Sequence, residues 1–311
     1  MAFAGARRRL SQHFRRFQVR RQADRMREDE HWALPDFPPE IVGFRAQQQR
    51  DALAEACRRF GVEPCGYASY GFRRKSIGAP VQGNGSISWL KIICMHNRWA
   101  TWRRDGEVSA PVIREVERPS IVNNAEWSVD GIPWCALQFT MAPAAPAADI
   151  PALVRPLPNI DDIWLAQLKQ MIGRIAAVPL TRWYLHPGSV ARMIAQRFGA
   201  RAPIVVDEWR TAHGDVNWSN VTTPHLALID WEYWGAAPRG YDAATLLMHS
   251  TGDAALMEKI RSLFADDLDT QSGIVAQLYL AARNLNQIEA GLGDPRCHRP
   301  LEAEATRLLK R

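Results

Sequence analysis

Lysine and cysteine are scarce in this 311-residue sequence, and it holds no long apolar run and no internal repeat. Each shortage removes a class of protein. The five cysteines (Cys57, Cys65, Cys94, Cys135, Cys297) are odd in number, scattered and without a CxxC pair. That argues against a disulfide scaffold or a structural zinc site and for reduced thiols in a cytoplasm. No stretch approaches the ~20 consecutive apolar residues of a membrane span. The longest uncharged run, residues 132–148, is broken by Pro133, Pro143 and Pro146. The basic N-terminus lacks the apolar segment that follows the arginines of a secretory signal. With 47% apolar and 23% charged residues, the expectation is a soluble cytoplasmic chain of one large domain or two modest ones.

The formal net charge of +6 is unevenly placed. Residues 1–27 carry nine arginines against one acid, Asp24, so this arm contributes +8 and the other 284 residues sum to −2. The body therefore lacks the basic face that nucleic acid needs, and no nucleic-acid partner is expected for it. Within the arm Leu10, Phe14 and Phe17 recur at helical spacing. That stripe either meets an anionic surface such as a membrane or packs on the body as a solvated extension.

Beyond the arm, Leu34-Pro35-Asp36-Phe37-Pro38-Pro39 reads as a connector. Residues 45–60 read as a helix ended by Gly61, with Leu53, Cys57 and Phe60 on one face. Segments 72–82 and 86–95 read as strands paired across Gly83-Asn84-Gly85. A second hairpin runs from residues 126–129 through Asp130-Gly131 into 132–139, and 107–118 has room for a short helix started near Pro111. Residues 141–158 form a Pro- and Ala-rich linker, after which the periodicity becomes helical. Asp161 or Asp162 caps a helix carrying Trp164, Leu168, Met171 and Ile175; a second runs from Pro187 to Gly199. A third carries Ile274, Leu278, Ala281, Leu285 and Ile288.

Polar chemistry concentrates in His213-Gly214-Asp215-Val216-Asn217-Trp218-Ser219-Asn220 and in the segment Leu226-Ala227-Leu228-Ile229-Asp230-Trp231-Glu232. Asp215 and Asn220 stand in a loop too polar for a core helix. Asp230 follows four apolar residues that read as a buried strand, so its carboxylate emerges at a strand end and needs a cation or donors there. Two carboxylates and an amide suit Mg²⁺, a hard ion that keeps waters for phosphate. Phosphoryl transfer needs that clamp, a carboxylate for the attacking hydroxyl and a lysine for the phosphates. Of five lysines against 34 arginines, Lys91 alone is set in the continuously apolar part of a predicted strand, which points to a need for a compact charge.

The HGDxxxxN run, followed ten residues after Asn220 by Ile229-Asp230-Trp231-Glu232, resembles the aminoglycoside phosphotransferase and choline kinase-like family. The resemblance implies an α+β, two-lobed protein-kinase-like fold with a small β-rich N-lobe and a larger, mainly helical C-lobe. Its segments would be a basic arm and connector (1–44), a nucleotide lobe (45–142) and a catalytic and substrate lobe (143–311). It implies Asp215 as the residue that orients or deprotonates the acceptor hydroxyl, Asn220 and Asp230 as Mg²⁺ ligands, and His213 as the loop holder. Lys91 would meet the phosphates of ATP or GTP, with Glu107 preferred over Glu115 and Glu117 as its carboxylate partner. Glu232 would reach a second metal or hydrogen-bond the loop. The backbone of Gln138, Phe139, Thr140 and Met141 would receive the nucleotide base. The phosphate-covering loop would fall around Gly71–Gly78 or Gly83–Gly85, without a GxGxxG.

Gly214 where protein kinases carry arginine, Trp231-Glu232 after the metal acid, and no room for an activation loop favour a small-molecule acceptor over a protein. The expected activity is O-phosphorylation of an antibiotic, amino sugar or sugar-nucleoside by a monomer or homodimer. The alternative is a nucleotide-binding pseudokinase. Residues 242–294 hold eight acids against three bases, which either steers a cationic acceptor or marks a solvated face. Trp218, Trp231, Trp234 and Tyr241 either stack on the acceptor or form core. Asp242 is expected to cap the helix that begins at Ala243.

Overall fold

The computed structural model describes residues 39–71, 76–95, 98–152, 160–199 and 202–310. The arginine-rich arm with its apolar stripe, the connector as far as Pro38, residues 72–75 of the first predicted strand and most of the second half of the linker lie outside them. The chain divides into two units. The first comprises the residues up to Val108 together with Pro119–Met141; the second comprises Ser109–Arg118 and the chain from Ala142 onward.

The first unit is a sheet carrying a helix. Helix α1 (Pro39–Phe60) starts earlier than predicted, because a proline in the first turn of a helix loses no hydrogen bond. Strands β1 (Glu63–Pro64), β2 (Ser69–Tyr70), β3 (Ser76–Gly83), β4 (Ser86–Cys94), β5 (Ile121–Val129) and β6 (Ile132–Thr140) form one antiparallel sheet in the order β1-β3-β4-β6-β5, with β2 also on β3. Both predicted hairpins form, turning at Asn84-Gly85 and Asp130-Gly131 with φ of 48°, 75°, 51° and 76°. These left-handed pairs match the twist of the strands they join. Alternation along β4 puts Leu90 and Ile92 against Ala52, Leu53, Ala56 and Cys57 of α1. Trp89, Lys91 and Ile93 therefore fall on the other face, where Ile93 packs with Leu137 and Phe139.

The helix expected within 107–118 lies earlier. Helix α2 (Arg98–Ser109) precedes Pro111, and only a 3₁₀ turn, Ala110–Val112, follows it. The residue before a proline resists the α conformation, so Pro111 ends this helix instead of opening one. The buried face of α2 includes Ala100, Arg103 and Glu107, so it has no apolar stripe to read.

The second unit is mainly helical. Helix α3 (Asp162–Ala176) is capped by Asp161, whose Oδ1 accepts the Trp164 N–H at 2.7 Å, and it buries Trp164, Leu168, Met171 and Ile175. Helix α4 (Pro187–Phe198) ends at Gly199 in a positive-φ conformation. Two short ribbons pair β7 (Ala145–Pro146) with β9 (Thr222–Thr223), and β8 (Trp209–Ala212) with β10 (Gly235–Pro238). Helices α5 (Tyr241–Met248), α6 (Ala254–Leu263), α7 (Ala265–Leu268), α8 (Gln271–Glu289) and α9 (His298–Leu309) complete the unit. Leu278, Ala281 and Leu285 of α8 are buried. Segment 226–229 is buried as predicted at Ala227 and Leu228, but it forms a single bridge to Val221 and no regular strand. The five cysteines are free. Among the described residues no helix is long and apolar enough to cross a membrane.

Candidate active site

In the first unit, Lys91 sits mid-strand on β4, opposite Gly78 on one side and Leu137 on the other. Its Nζ lies 2.7 Å from Glu107 Oε1. The lysine side chain is 12% exposed and the glutamate 3%, so this is a largely desolvated ion pair. Removing water from two charges costs several kcal/mol per ion, roughly, and only close geometry offsets it. The structure thus brings Lys91 and Glu107 together. Within the second unit, the Glu115 carbonyl accepts from Arg174 at 2.8 Å and the Glu117 carbonyl accepts the Leu228 N–H at 3.0 Å.

The segment expected to receive the nucleotide base begins inside the sheet and leaves it after Thr140. Strand β6 runs through Thr140, so Gln138 and Phe139 have ladder partners on β4 and β5. The Gln138 side chain bridges Asn123 and Ser88, Phe139 is core, and the Thr140 N–H donates to the Ser120 carbonyl at 2.8 Å. Of the four residues only Met141 lies past the strand. Gly83–Gly85 is a tight hairpin turn, and the Gly71–Gly78 stretch includes 72–75, outside the described residues.

In the second unit, β8 delivers the chain into His213-Gly214-Asp215. Gly214 has φ of 84°, and a Cβ there would stand 2.4 Å from the Tyr233 carbonyl oxygen, so only glycine fits. Asp242, at the start of α5, sends its carboxylate to this loop: it accepts the His213 N–H at 2.7 Å and the Gly214 N–H at 2.9 Å. This corrects the capping role expected of it. Gly240 occupies the N-cap position, and Asp242 satisfies amides 28 and 29 residues away. Burial pushes the Asp242 carboxyl up to about 7, against the pull of the two N–H donors. A hydrogen bond to a residue so distant in sequence leaves no local signature.

Asp215 is partly exposed. Asn220 Nδ2 donates to its Oδ2 at 2.9 Å and to its backbone carbonyl at 3.0 Å, while Asn217 Nδ2 reaches the same carbonyl at 3.2 Å. Loss of hydration raises the Asp215 carboxyl to about 6, the Arg283 charge pulls it down, and Asp230 and Glu232 push it up. The Asn220 amide nitrogen is thus committed to Asp215, and among the described residues nothing donates to its Oδ1. Asp230 adopts a left-handed φ of 67°, uncommon for a residue with a Cβ, and leads into the 3₁₀ turn Trp231–Tyr233.

His213 is fully buried, its Nδ1 accepts the Asp215 N–H at 3.3 Å, and its ring meets Trp231 edge-on at 4.5 Å. Burial lowers its pKa to about 4, although Asp230 and the Ile229 backbone favour the charged form. It is therefore a neutral ring that braces the loop. Glu232 is buried, and its backbone carbonyl accepts from Arg182 at 3.1 Å.

An oxygen set of one amide and carboxylates fits a hard ion that takes its remaining ligands from water and phosphate. Among the described residues no three His, Cys, Asp or Glu side chains form a closed metal cage. Trp218, Trp231, Trp234 and Tyr241 are all core, 2% exposed or less. The acids of 242–294 are largely engaged in structure. Asp253 caps α6, and Glu258, Asp266, Asp267, Glu289 and Asp294 pair with Arg261, Lys169, Arg239, Arg197 and Arg296.

No protein-family model matches the chain, and no curated protein matches it by sequence. By structure it is similar to aminoglycoside phosphotransferase APH(4)-Ia, at 14% identity over 81% of this chain and 97% of that one, with a TM-score of 0.52. It is similar to macrolide 2'-phosphotransferase type I at 15% identity, over 82% and 96% of the two chains, with a TM-score of 0.51. A thermostable mutant of APH(4)-Ia in a ternary complex with AMP-PNP and hygromycin B gives 15% identity, 80% and 97% coverage, and a TM-score of 0.50. The likeness establishes the fold. It is the α+β, protein-kinase-like fold of the aminoglycoside phosphotransferases, β-rich in its N-terminal region and helical in its C-terminal region.

Proposed function

We propose that this chain is an ATP- or GTP-dependent phosphotransferase acting on a hydroxyl group of a small molecule. The observation that carries the reading is the Asp215–Asn220 arrangement. A partly exposed carboxylate is held by an amide nitrogen, and that amide's oxygen is left for a cation. The fold supports it, since the neighbours named above are phosphotransferases. An antibiotic or other sugar-bearing acceptor would accord with the aminoglycoside and macrolide in their names.

In this reading the Lys91 ammonium, oriented by Glu107, holds the phosphates, and the backbone at Met141 meets the base. Asn220, through Oδ1, and Asp230 are the residues that would hold Mg²⁺, and the ion would supply neutralisation of charge on the phosphates. Asp215 accepts a hydrogen bond from the acceptor hydroxyl and aims its oxygen at the γ-phosphorus. As the new O–P bond forms, the bond from the γ-phosphorus to the bridging oxygen breaks and the nucleoside diphosphate leaves with that electron pair. The hydroxyl proton passes to Asp215. Catalysis rests on positioning and charge neutralisation, since such a transfer offers little covalent chemistry to the protein. The proposed division of labour is nucleotide binding by residues up to 142 and acceptor binding by 143–311.

The test is Mg²⁺-dependent turnover of ATP and GTP against a panel of small alcohols, with mass spectrometry for the gain of one phosphoryl group. Phosphorylated product supports the reading; absence of any nucleotide binding by the folded protein would sink it.

A further inference from the structure

The second unit contains a cation that the mechanism above does not use. Arg283, on α8, is partly exposed, and its Nη1 donates to the phenol oxygens of Tyr241 at 3.3 Å and Tyr184 at 3.4 Å. Among the described residues it makes no ion pair with a carboxylate and no other hydrogen bond. Both contacts are long and both are made through Nη1, so among the described residues the Nε and Nη2 donors of the fork carry no hydrogen bond.

Two packing routes tie this guanidinium to the catalytic loop. Tyr241 adjoins Asp242, whose carboxylate holds the His213 and Gly214 amides. Tyr184 packs on Tyr233 at 5.4 Å, and the Tyr233 carbonyl is the group that Gly214 must avoid. The Arg283 charge acts directly on the Asp215 carboxyl. It also acts on His249, whose pKa burial lowers to about 4. Tyr279 closes the cluster against Tyr241 at 6.2 Å.

A guanidinium half out of water, with donors unmatched by any carboxylate, is poorly compensated unless an anion supplies the match. Its planar fork suits a carboxylate or phosphate bound through two parallel hydrogen bonds. We propose that Arg283, flanked by Tyr184 and Tyr241, recognises an anionic group, a carboxylate or phosphate, on the acceptor alcohol that Asp215 aims. This rests on the phosphotransferase reading and narrows it. The acids that would have favoured a cationic acceptor are engaged with arginines and lysine or in capping, whereas Arg283, held by two phenols that pack toward the catalytic loop, makes no ion pair with an acid among the described residues.

Four compounds on one scaffold test it: glucose, glucosamine, glucuronate and glucose 6-phosphate. Binding of each to wild type, Arg283→Gln and Arg283→Lys is followed by ligand-detected NMR, with phosphoryl transfer measured in parallel. Glucuronate is expected to bind wild type at least tenfold tighter than glucose, with that preference lost in Arg283→Gln and partly kept in Arg283→Lys. Glucose 6-phosphate in the same assay separates a phosphate preference from a carboxylate one. Where turnover is seen, KM for the anionic acceptor should rise in Arg283→Gln more than kcat falls. Glucosamine or glucose binding as well as the anions, or anion binding unchanged in a folded Arg283→Gln, would overturn the proposal. Because binding is read apart from turnover, failure of transfer with arginine-dependent anion binding would count against the phosphotransferase reading alone.

Discussion

The carboxylate of Asp242 accepts the Gly214 N–H at 2.9 Å, one residue before Asp215. A second amide, from His213, reaches the same carboxylate at 2.7 Å. Asp242→Ala would strand both donors in the interior, at a cost of about 1–3 kcal/mol for each. The expected outcome is a lower melting temperature together with a turnover reduced by ~10²-fold, because a displaced Asp215 no longer aims the hydroxyl. Thermal unfolding and steady-state kinetics on one preparation check this. Wild-type values in both would remove Asp242 from the account.

Gly214→Ala probes the same loop from the opposite side. The new Cβ would meet the Tyr233 carbonyl oxygen at 2.4 Å and require a strained φ. Turnover should collapse while nucleotide affinity changes little. A crystal structure of this variant with an undisturbed Asp215, or unaltered kinetics, would contradict the steric argument.

The Lys91–Glu107 pair separates stability from function. Lys91→Met removes the ammonium 2.7 Å from the buried Glu107, and breaking a buried pair on one side costs about 3–5 kcal/mol in comparable cases. Adding Glu107→Leu removes the second charge of the pair, so the double variant should recover much of that stability and still fail to bind nucleotide. Denaturant unfolding and nucleotide titration of the three variants decide the matter. Nucleotide binding intact in the double variant would show that the lysine serves only the fold.

Acid pH should act on stability and turnover through different groups. His213 and His249 have pKa values lowered by burial to about 4, so their stabilising effect is complete above the unfolded value near 6.5. It is lost as pH falls toward 4, since the unfolded chain takes up those protons first. Asp215 and Asp242, raised to about 6 and 7, have the opposite sign: they favour the folded state most below pH ~3.8 and lose that as pH rises. His249→Gln should therefore flatten the fall in stability between pH 6.5 and 4, seen by unfolding at each pH. For turnover, Asp215 must be ionised, so kcat/KM should fall below an apparent pKa no higher than about 6 and lower still with Mg²⁺ bound. An activity maximum at pH 4 would contradict that role.

Local rules carried much of the fold. Asp161 caps α3, Pro187 and Gly199 bracket α4, and both hairpins turn where Asn-Gly and Asp-Gly stand. Lys91 could be read as a buried point charge because alternation along β4 places it between Leu90 and Ile92. Helix α2 escaped because its buried face includes Arg103 and Glu107, and a periodicity search sees only apolar residues. The tie from Asp242 to the loop and the contacts of Arg283 with Tyr241 and Tyr184 join residues 28, 42 and 99 apart. Such contacts are set by packing of α5 and α8, which no local pattern encodes.

The central claim is that Asp215 aims an acceptor hydroxyl at a nucleotide phosphate. Its most direct test compares wild type and Asp215→Ala for Mg²⁺-dependent transfer of phosphate to a small alcohol, with nucleotide affinity measured alongside. The account predicts a product in wild type, a loss of ~10²–10⁴-fold or more in the variant, and nearly equal nucleotide affinity. Equal turnover in the two proteins, or loss of nucleotide binding in a folded Asp215→Ala, would contradict it.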